Sequence, residues 1–148
     1  MSKPISSCCL KCTSSCINKE IEKIQPHKNF PLLQKYKAVF PIDENTAFPY
    51  NHIIYTEKPE SITPDLFIHE EVHFKQQDEI GLDTWIENYF TDTNFRTKME
   101  LEAYKEQIMY FKDDKEIQNK IRTECAKALS SPLYGNVLTY KEAYNELK

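Results

Sequence analysis

The segment from Thr63 to Gly81 carries the start and stop signals of one helix of about 16 residues. Thr63 suits the N-cap position, Pro64 suits the first helical position, and Gly81 suits the residue that follows the last turn. Inside it, the stretch His69-Glu70-Glu71-Val72-His73 places two histidines four residues apart. On a helix these side chains lie one above the other on one face, so both imidazoles can reach the same ion.

The residues around the two histidines indicate that this part of the helix is buried. Four apolar residues surround the pair: Leu66, Ile68, Val72 and Phe74. A solvated helix face would be charged instead. Glu70 is one step round the helix, near enough to hold a metal-bound water without being a ligand. The spacing therefore favours a zinc site over two solvated histidines.

A catalytic zinc ion is generally held by three side chains and a water, so a third ligand is needed. A downstream acidic helix offers Glu100, Glu102 and Glu106. The apolar stripe of that helix runs through Ala103, Tyr104, Gln107, Ile108 and Phe111. Helical phase places Glu100 on this stripe and Glu102 on the exposed side. Because a carboxylate on a buried face needs a partner, Glu100 is the predicted third ligand and Glu102 the alternative.

Composition and charge argue against two classes of function. The two glycines, Gly81 and Gly135, supply no glycine-rich phosphate loop, so we expect no nucleotide-binding site. Residues 64–106 contain eleven Asp and Glu against four Lys and Arg, a net charge of −7 in a chain whose total is −4. A nucleic-acid partner requires the opposite sign around the working site, so we expect no nucleic acid.

Length and hydropathy indicate how many domains to expect and where the protein is located. At 148 residues, one domain is expected. No stretch approaches the length of a membrane span, and the first residues lack the apolar core of a secretory signal. We therefore expect no membrane span and a cytoplasmic location, in a cell or in an infected host.

Most of the cysteines are concentrated near the start of the chain, at Cys8, Cys9, Cys12 and Cys16. Residues 1–16 are predicted to form a flexible Cys-rich tail, and residues 17–148 a single domain. A local metal module and a lipid-modified segment are the alternatives for the tail, although its spacing differs from that of a zinc ribbon. Residues 17–25 predict a short amphipathic helix.

The rest of the chain predicts a small β region followed by helices, which is an α+β fold. Residues 35–42 (KYKAVFPI) and 52–56 (HIIYT) are typical of strands, and residues 43–51 of a loop. After the motif helix, helices are predicted from Asp83 or Thr84, from Asp92 or Thr93, from Asp113 or Asp114 to about Leu129, and from a capping box at residues 139–142.

The motif HEEVH, followed about thirty residues later by ELEAY at residues 100–104, resembles the small zincin metallopeptidases of the gluzincin type. The resemblance covers roughly residues 50–112. It implies a zincin-like fold in which His69, His73 and Glu100 bind Zn²⁺ and Glu70 is the general base. It also implies that the strand HIIYT aligns an extended substrate peptide. Tyr104 stands where many relatives have an aspartate that orients a ligand histidine.

The predicted function is that of a zinc-dependent peptidase acting on a peptide or protein in extended conformation. The tyrosines considered as donors to the developing oxyanion are Tyr104, Tyr134 and Tyr140. One alternative is a non-catalytic zincin-fold structural or binding protein, its cleft covered by residues 130–136 (SSPLYGN) or by the tail. The other alternative is a nucleic-acid-associated protein in which the cysteine cluster is a metal module. The sequence does not indicate an oligomeric state.

Overall fold

A computed structural model describes residues 23–148. This part of the chain contains six α-helices and a three-stranded sheet, so the predicted α+β class is confirmed, while a zincin-like identity stays a prediction. Its contacts divide it into two compact units, one ending at Phe67 and the other spanning Ile68–Lys148. No helix of the described residues has the length and apolar character needed to cross a membrane. The predicted cysteine tail lies outside them.

The first unit contains the sheet, formed by β1 (Ile24–Gln25), β2 (Ala47–Tyr50) and β3 (Ile53–Thr56). The central strand, β3, pairs in parallel with β1 and antiparallel with β2. Asn51 and His52 connect β2 to β3 with φ of 49° and 65°. Two positive φ angles in a two-residue connection match the tight turn that a twisted hairpin favours.

The sheet corrects two expectations. Residues 43–51 were expected to be a loop, but they contain β2. Pro49 is tolerated there because β2 lies at an edge of the sheet that residues 23–148 form. The segment HIIYT does form a strand, over Ile53–Thr56, with His52 in the turn before it. The expectation that this strand pairs with a substrate peptide at an edge is wrong, because β3 has a neighbour on both sides.

The segment KYKAVFPI was also expected to be a strand, and it is a helix instead: α1 spans Leu33–Val39. The helix lets Tyr36 bury its ring against Phe30 and Phe48, at centroid distances of 4.8 and 4.9 Å. β propensity depends on such packing more than on the backbone, and here packing favours the helix. The helix predicted for residues 17–25 falls mostly outside the described residues, and its last two residues form β1.

The second unit begins within α2 (Pro64–Ile80) and continues with α3 (Leu82–Thr91), α4 (Thr93–Met109), α5 (Lys115–Leu129) and α6 (Tyr140–Glu146). Gly81, with φ of 97°, separates α2 from α3. The side chains of Asp92 and Asp114 cap α4 and α5, and Thr139 and Glu142 form the predicted capping box of α6. The predicted starts of α4, α5 and α6 are therefore confirmed. Each depends on a capping side chain within one turn of the helix start.

The apolar core of the second unit lies where the second half of α4 meets α5 and α6. Its buried members are Ile108, Cys125, Ala126, Leu129, Ala143 and Leu147. Tyr104 packs against the edge of this cluster. The first half of α4, by contrast, faces α2 and α3 with polar residues, which form the candidate site.

Candidate metal centre

Three side chains from α2 and α4 converge on one point in the second unit. His69 Nε2 lies 3.1 Å from His73 Nε2, and both nitrogens face the carboxylate of Glu100. The distances to this carboxylate are 3.1 Å from His69 to Oε2 and 3.3 Å from His73 to Oε1. The structure therefore brings together the three residues predicted to be ligands, and they form a group able to hold a metal ion.

The spacing of these atoms fits a zinc ion. With Zn–N and Zn–O bonds near 2.0–2.1 Å and tetrahedral angles, neighbouring ligand atoms lie about 3.3 Å apart. The three separations seen here, 3.1, 3.1 and 3.3 Å, are close to that value. A second observation agrees: Glu70 is 4% exposed, and its Oε2 has no hydrogen-bond partner. Buried carboxylate oxygens normally have a hydrogen-bond partner, so this one indicates that a water molecule or another polar group binds next to it.

His73 and Glu100 shift each other's pKa in opposite directions. Burial disfavours the charged form of His73, but the neighbouring Glu100 carboxylate outweighs this and raises the pKa of His73 to about 9. Burial likewise opposes ionisation of Glu100, yet His73 and His69 hold its pKa well below its usual value. The lowered pKa of Glu100 favours its ionised form, which is the form of a carboxylate that can bind a metal ion.

Glu70 lies beside the three-residue group and outside it. Burial raises the pKa of Glu70, and the adjacent His69 and His73 offset part of that increase. A carboxyl group whose pKa is shifted upward is better matched to accepting and returning a proton near neutral pH. That Glu70 is the general base and not a ligand stays a prediction.

Gln76, one turn beyond His73 on α2, was not predicted to take part in the site. Its Oε1 accepts a hydrogen bond from His73 Nδ1 at 2.9 Å and another from the Trp85 indole at 3.3 Å. Its Nε2 donates to the backbone oxygen of Met99 at 3.1 Å and to Glu102 at 2.8 Å. The signal in the sequence was the i, i+3 spacing from His73, which places both residues on one helix face.

Tyr89 and Arg96 were missed as well. The Tyr89 hydroxyl donates to Glu100 Oε1 at 2.5 Å. Arg96 is buried and donates to the backbone oxygens of Tyr89 and Phe90, at the end of α3, and to that of Leu133. A cation at a helix C-terminus satisfies its last carbonyls, so Arg96 fixes the junction that positions Tyr89. Its spacing of four residues before Glu100 was the available signal.

The three candidate tyrosines are in different places. The ring of Tyr104 lies 4.6 Å from that of His69, and its hydroxyl is hydrogen-bonded to that of Tyr134. Burial and the charge of Glu100 raise the pKa of both hydroxyls, so both remain protonated and able to donate. Tyr140 is 44% exposed at the start of α6 and pairs with Tyr144 instead. Two of the three are therefore near the site.

The segment SSPLYGN, predicted as a possible cover, runs beside this site. It forms a short 3-10 helix, Pro132–Tyr134, and Tyr134 is buried. Thr97 on α4 donates to the backbone oxygen of Tyr134 at 3.3 Å. A side chain at Gly135, where φ is 72°, would approach Thr93 to 2.8 Å. The segment is thus held closely against the first half of α4.

Glu102, the alternative third ligand, lies on another face of α4. It is exposed and lines a groove of about 560 Å³ between α2 and α4, together with Gln76 and Lys105. Of the two glutamates, the one facing the histidines is therefore Glu100, as helical phase predicted.

Comparisons with protein families, curated proteins and solved structures found no match. The resemblance to the gluzincin-type peptidases therefore continues to depend on the motif residues, and it stays a prediction.

Proposed function

We propose that this protein is a zinc-dependent peptidase with a zincin-like metal centre, in which His69, His73 and Glu100 hold the ion. The supporting observation is the buried three-residue group with its ligand atoms 3.1–3.3 Å apart, next to the unpartnered carboxylate oxygen of Glu70. Two histidines and a glutamate are a ligand set used by zinc peptidases. Three protein ligands leave one position for water or substrate, as hydrolysis requires.

The proposed chemistry divides between the ion and the protein. A zinc ion held in this way lowers the pKa of a water molecule and polarises a carbonyl group. Glu70 would take one proton of the attacking water through its unpartnered Oε2 as the water oxygen bonds to the scissile carbonyl carbon, and it would give that proton to the amine nitrogen as the C–N bond breaks. Its raised pKa suits both steps, because the carboxylate must first bind the proton and then release it.

Tyr104 is the proposed donor to the oxyanion that develops on the substrate. Its ring contacts His69, and Tyr134 is hydrogen-bonded to its hydroxyl, which restricts where the hydroxyl can point. A donor that is positioned before the reaction stabilises the transition state more than a mobile one. The proposed substrate is a peptide or protein in extended conformation.

The test compares Glu70→Gln with the neighbouring Glu71→Gln, which changes an exposed carboxylate in the same way. Glu70→Gln should keep its zinc yet lose about 10²–10⁴-fold in the rate of hydrolysis of an unfolded casein-like substrate. Glu71→Gln should retain the wild-type rate. A chelator should abolish the activity of both wild type and Glu71→Gln. Equal cleavage by wild type and Glu70→Gln would show that the activity comes from a contaminant and would overturn the proposal.

A second candidate is a non-catalytic protein whose zinc ion stabilises the fold. The observation that favours it is burial: His69, Glu70, His73 and Glu100 are each 1–5% exposed. The SSPLYGN segment beside Tyr104 is a possible cover. This candidate predicts that zinc raises the melting temperature, while neither wild type nor Tyr134→Ala, which loosens the segment, cleaves a broad peptide library.

A further inference from the structure

The amide of Gln76 is surrounded by partners that can each take only one role. Trp85 Nε1 is a donor and cannot accept, so the atom it contacts must be the amide oxygen. The Met99 carbonyl can only accept, and Glu102 is an acceptor when ionised, so the atom they share must be the amide nitrogen. The orientation of this amide is therefore determined by its environment and does not depend on how His73 is protonated.

This fixed orientation decides the state of the neighbouring histidine. The amide oxygen faces His73 Nδ1 at 2.9 Å, so Nδ1 must carry a hydrogen to donate. In a neutral imidazole only one nitrogen carries a hydrogen, so Nε2 then presents its lone pair. Nε2 is the nitrogen that lies 3.1 Å from His69 and 3.3 Å from Glu100.

We propose that Gln76 is a positioning residue that selects Nε2 of His73 as the metal-binding atom, with Trp85 and Glu102 fixing the orientation of its amide. The inference rests on the proposed metal site and is independent of peptide hydrolysis. In the family that the motif resembles, an aspartate at the position of Tyr104 would orient a ligand histidine. Here we assign the orientation of His73 to Gln76, on the motif helix itself. Tyr104 contacts the other histidine, His69, through its ring.

The network also explains why the amide tolerates burial. Gln76 is 5% exposed, and an unpaired buried amide would be costly. Here four partners from α2, α3 and α4 satisfy it. A side chain of the same size without the amide oxygen would fill the space, but either ring nitrogen of His73 could then bind the metal ion.

The first test uses the wild-type chain loaded with zinc and labelled with ¹⁵N. Long-range ¹H–¹⁵N spectra distinguish a histidine that is protonated at Nδ1 and metal-bound at Nε2 from the reverse arrangement. We expect His73 to show hydrogen on Nδ1 and metal on Nε2. Metal bound through Nδ1 would overturn the inference while leaving the metal site intact. A wild-type chain that binds no zinc would overturn the metal site and this inference together.

The second test measures zinc affinity by competition with a chelator. Gln76→Leu should bind zinc about 10–100-fold more weakly, the usual loss when a partner of a metal ligand is removed. The matched control is Gln118→Leu, which changes another buried glutamine of the same unit, one whose amide donates to Ile108. It should keep the wild-type affinity. The exchange Gln76→Glu/Glu102→Gln restores an acceptor for His73 and should recover part of the affinity. An equal loss in the exchange variant and in Gln76→Leu would show that side-chain packing matters and the acceptor does not, overturning the inference.

Discussion

The two halves of α4 bury mostly different kinds of side chain. The second half contributes Ala103 and Ile108, which pack with residues of α5 and α6 in an apolar cluster. The first half buries Arg96, Thr97 and Glu100, and each has polar partners from other segments. Apolar burial is favourable by itself, whereas buried charge is costly unless it is compensated. We therefore expect a bound metal ion to add stability to the first half, through Glu100, and to leave the second half unaffected.

The largest loss of stability is expected in the apolar cluster against which the second half of α4 packs. Leu129 is completely buried, and Leu129→Ala should lower the free energy of unfolding by about 2–5 kcal/mol, because it removes apolar contacts and leaves a cavity. Denaturant unfolding with zinc and with a chelator should give the same loss. A loss that appeared only in the presence of zinc would contradict the division between the two halves.

The polar half is tested by two isosteric changes on the same helix, Glu100→Gln and Glu102→Gln. A ligand that binds only the folded state stabilises it by about 2.7 kcal/mol at a concentration one hundred times its Kd. Wild type should show this zinc-dependent gain in full in thermal unfolding experiments, and Glu102→Gln should show a reduced gain, because Glu102 only orients the Gln76 amide beside His73. Glu100→Gln should lose it, since Glu100 is the carboxylate that faces both histidines. Complete loss of the gain in Glu102→Gln, with the full gain kept in Glu100→Gln, would identify Glu102 as the third ligand and contradict the assignment of Glu100.

A smaller effect is expected at the start of α6, which borders the apolar cluster. Thr139 accepts a hydrogen bond from the backbone of Glu142, and Thr139→Ala should cost about 1 kcal/mol of stability, with or without zinc. Thr123→Ala is the control, because Thr123 lies inside α5 and its hydroxyl donates to the backbone oxygen of Asn119. Alanine is the better helix former there, so this change should be close to neutral. Equal destabilisation by the two changes would argue against the capping role.

The smallest effect concerns the segment outside the described residues. A chain that begins at Asn18 should keep its zinc and its melting temperature, because the residues it lacks are rich in serine and cysteine and contain few large apolar side chains. Metal content and thermal unfolding of the shortened chain provide the measurement. A marked decrease in either would assign the cysteine cluster a structural role.

The starts of α4, α5 and α6 could be predicted from the sequence because their capping signals are local. Asp92, Asp114 and Thr139 cap the helices that they were expected to begin, and helical phase distinguished Glu100 from Glu102. Each of these inferences needs only residues within two turns of the position concerned.

The sheet and the network around the histidines could not be predicted in this way. Residues 35–42 have strand propensity, yet Tyr36 gains more by packing as part of a helix. Gln76 is three residues from His73, but its other partners are Trp85, Met99 and Glu102, which are 9 to 26 residues further along the chain. Contacts over such distances depend on how helices pack, which sequence spacing does not specify.

Zinc content provides the most direct test of the central claim, that the buried polar group is a metal site. The measurement compares two variants, both with Cys8, Cys9, Cys12 and Cys16 replaced by serine so that the tail thiols cannot bind the ion. We expect one zinc per chain when His69 and His73 are present, and none after the additional changes His69→Ala and His73→Ala. Full zinc occupancy without the two histidines would contradict it.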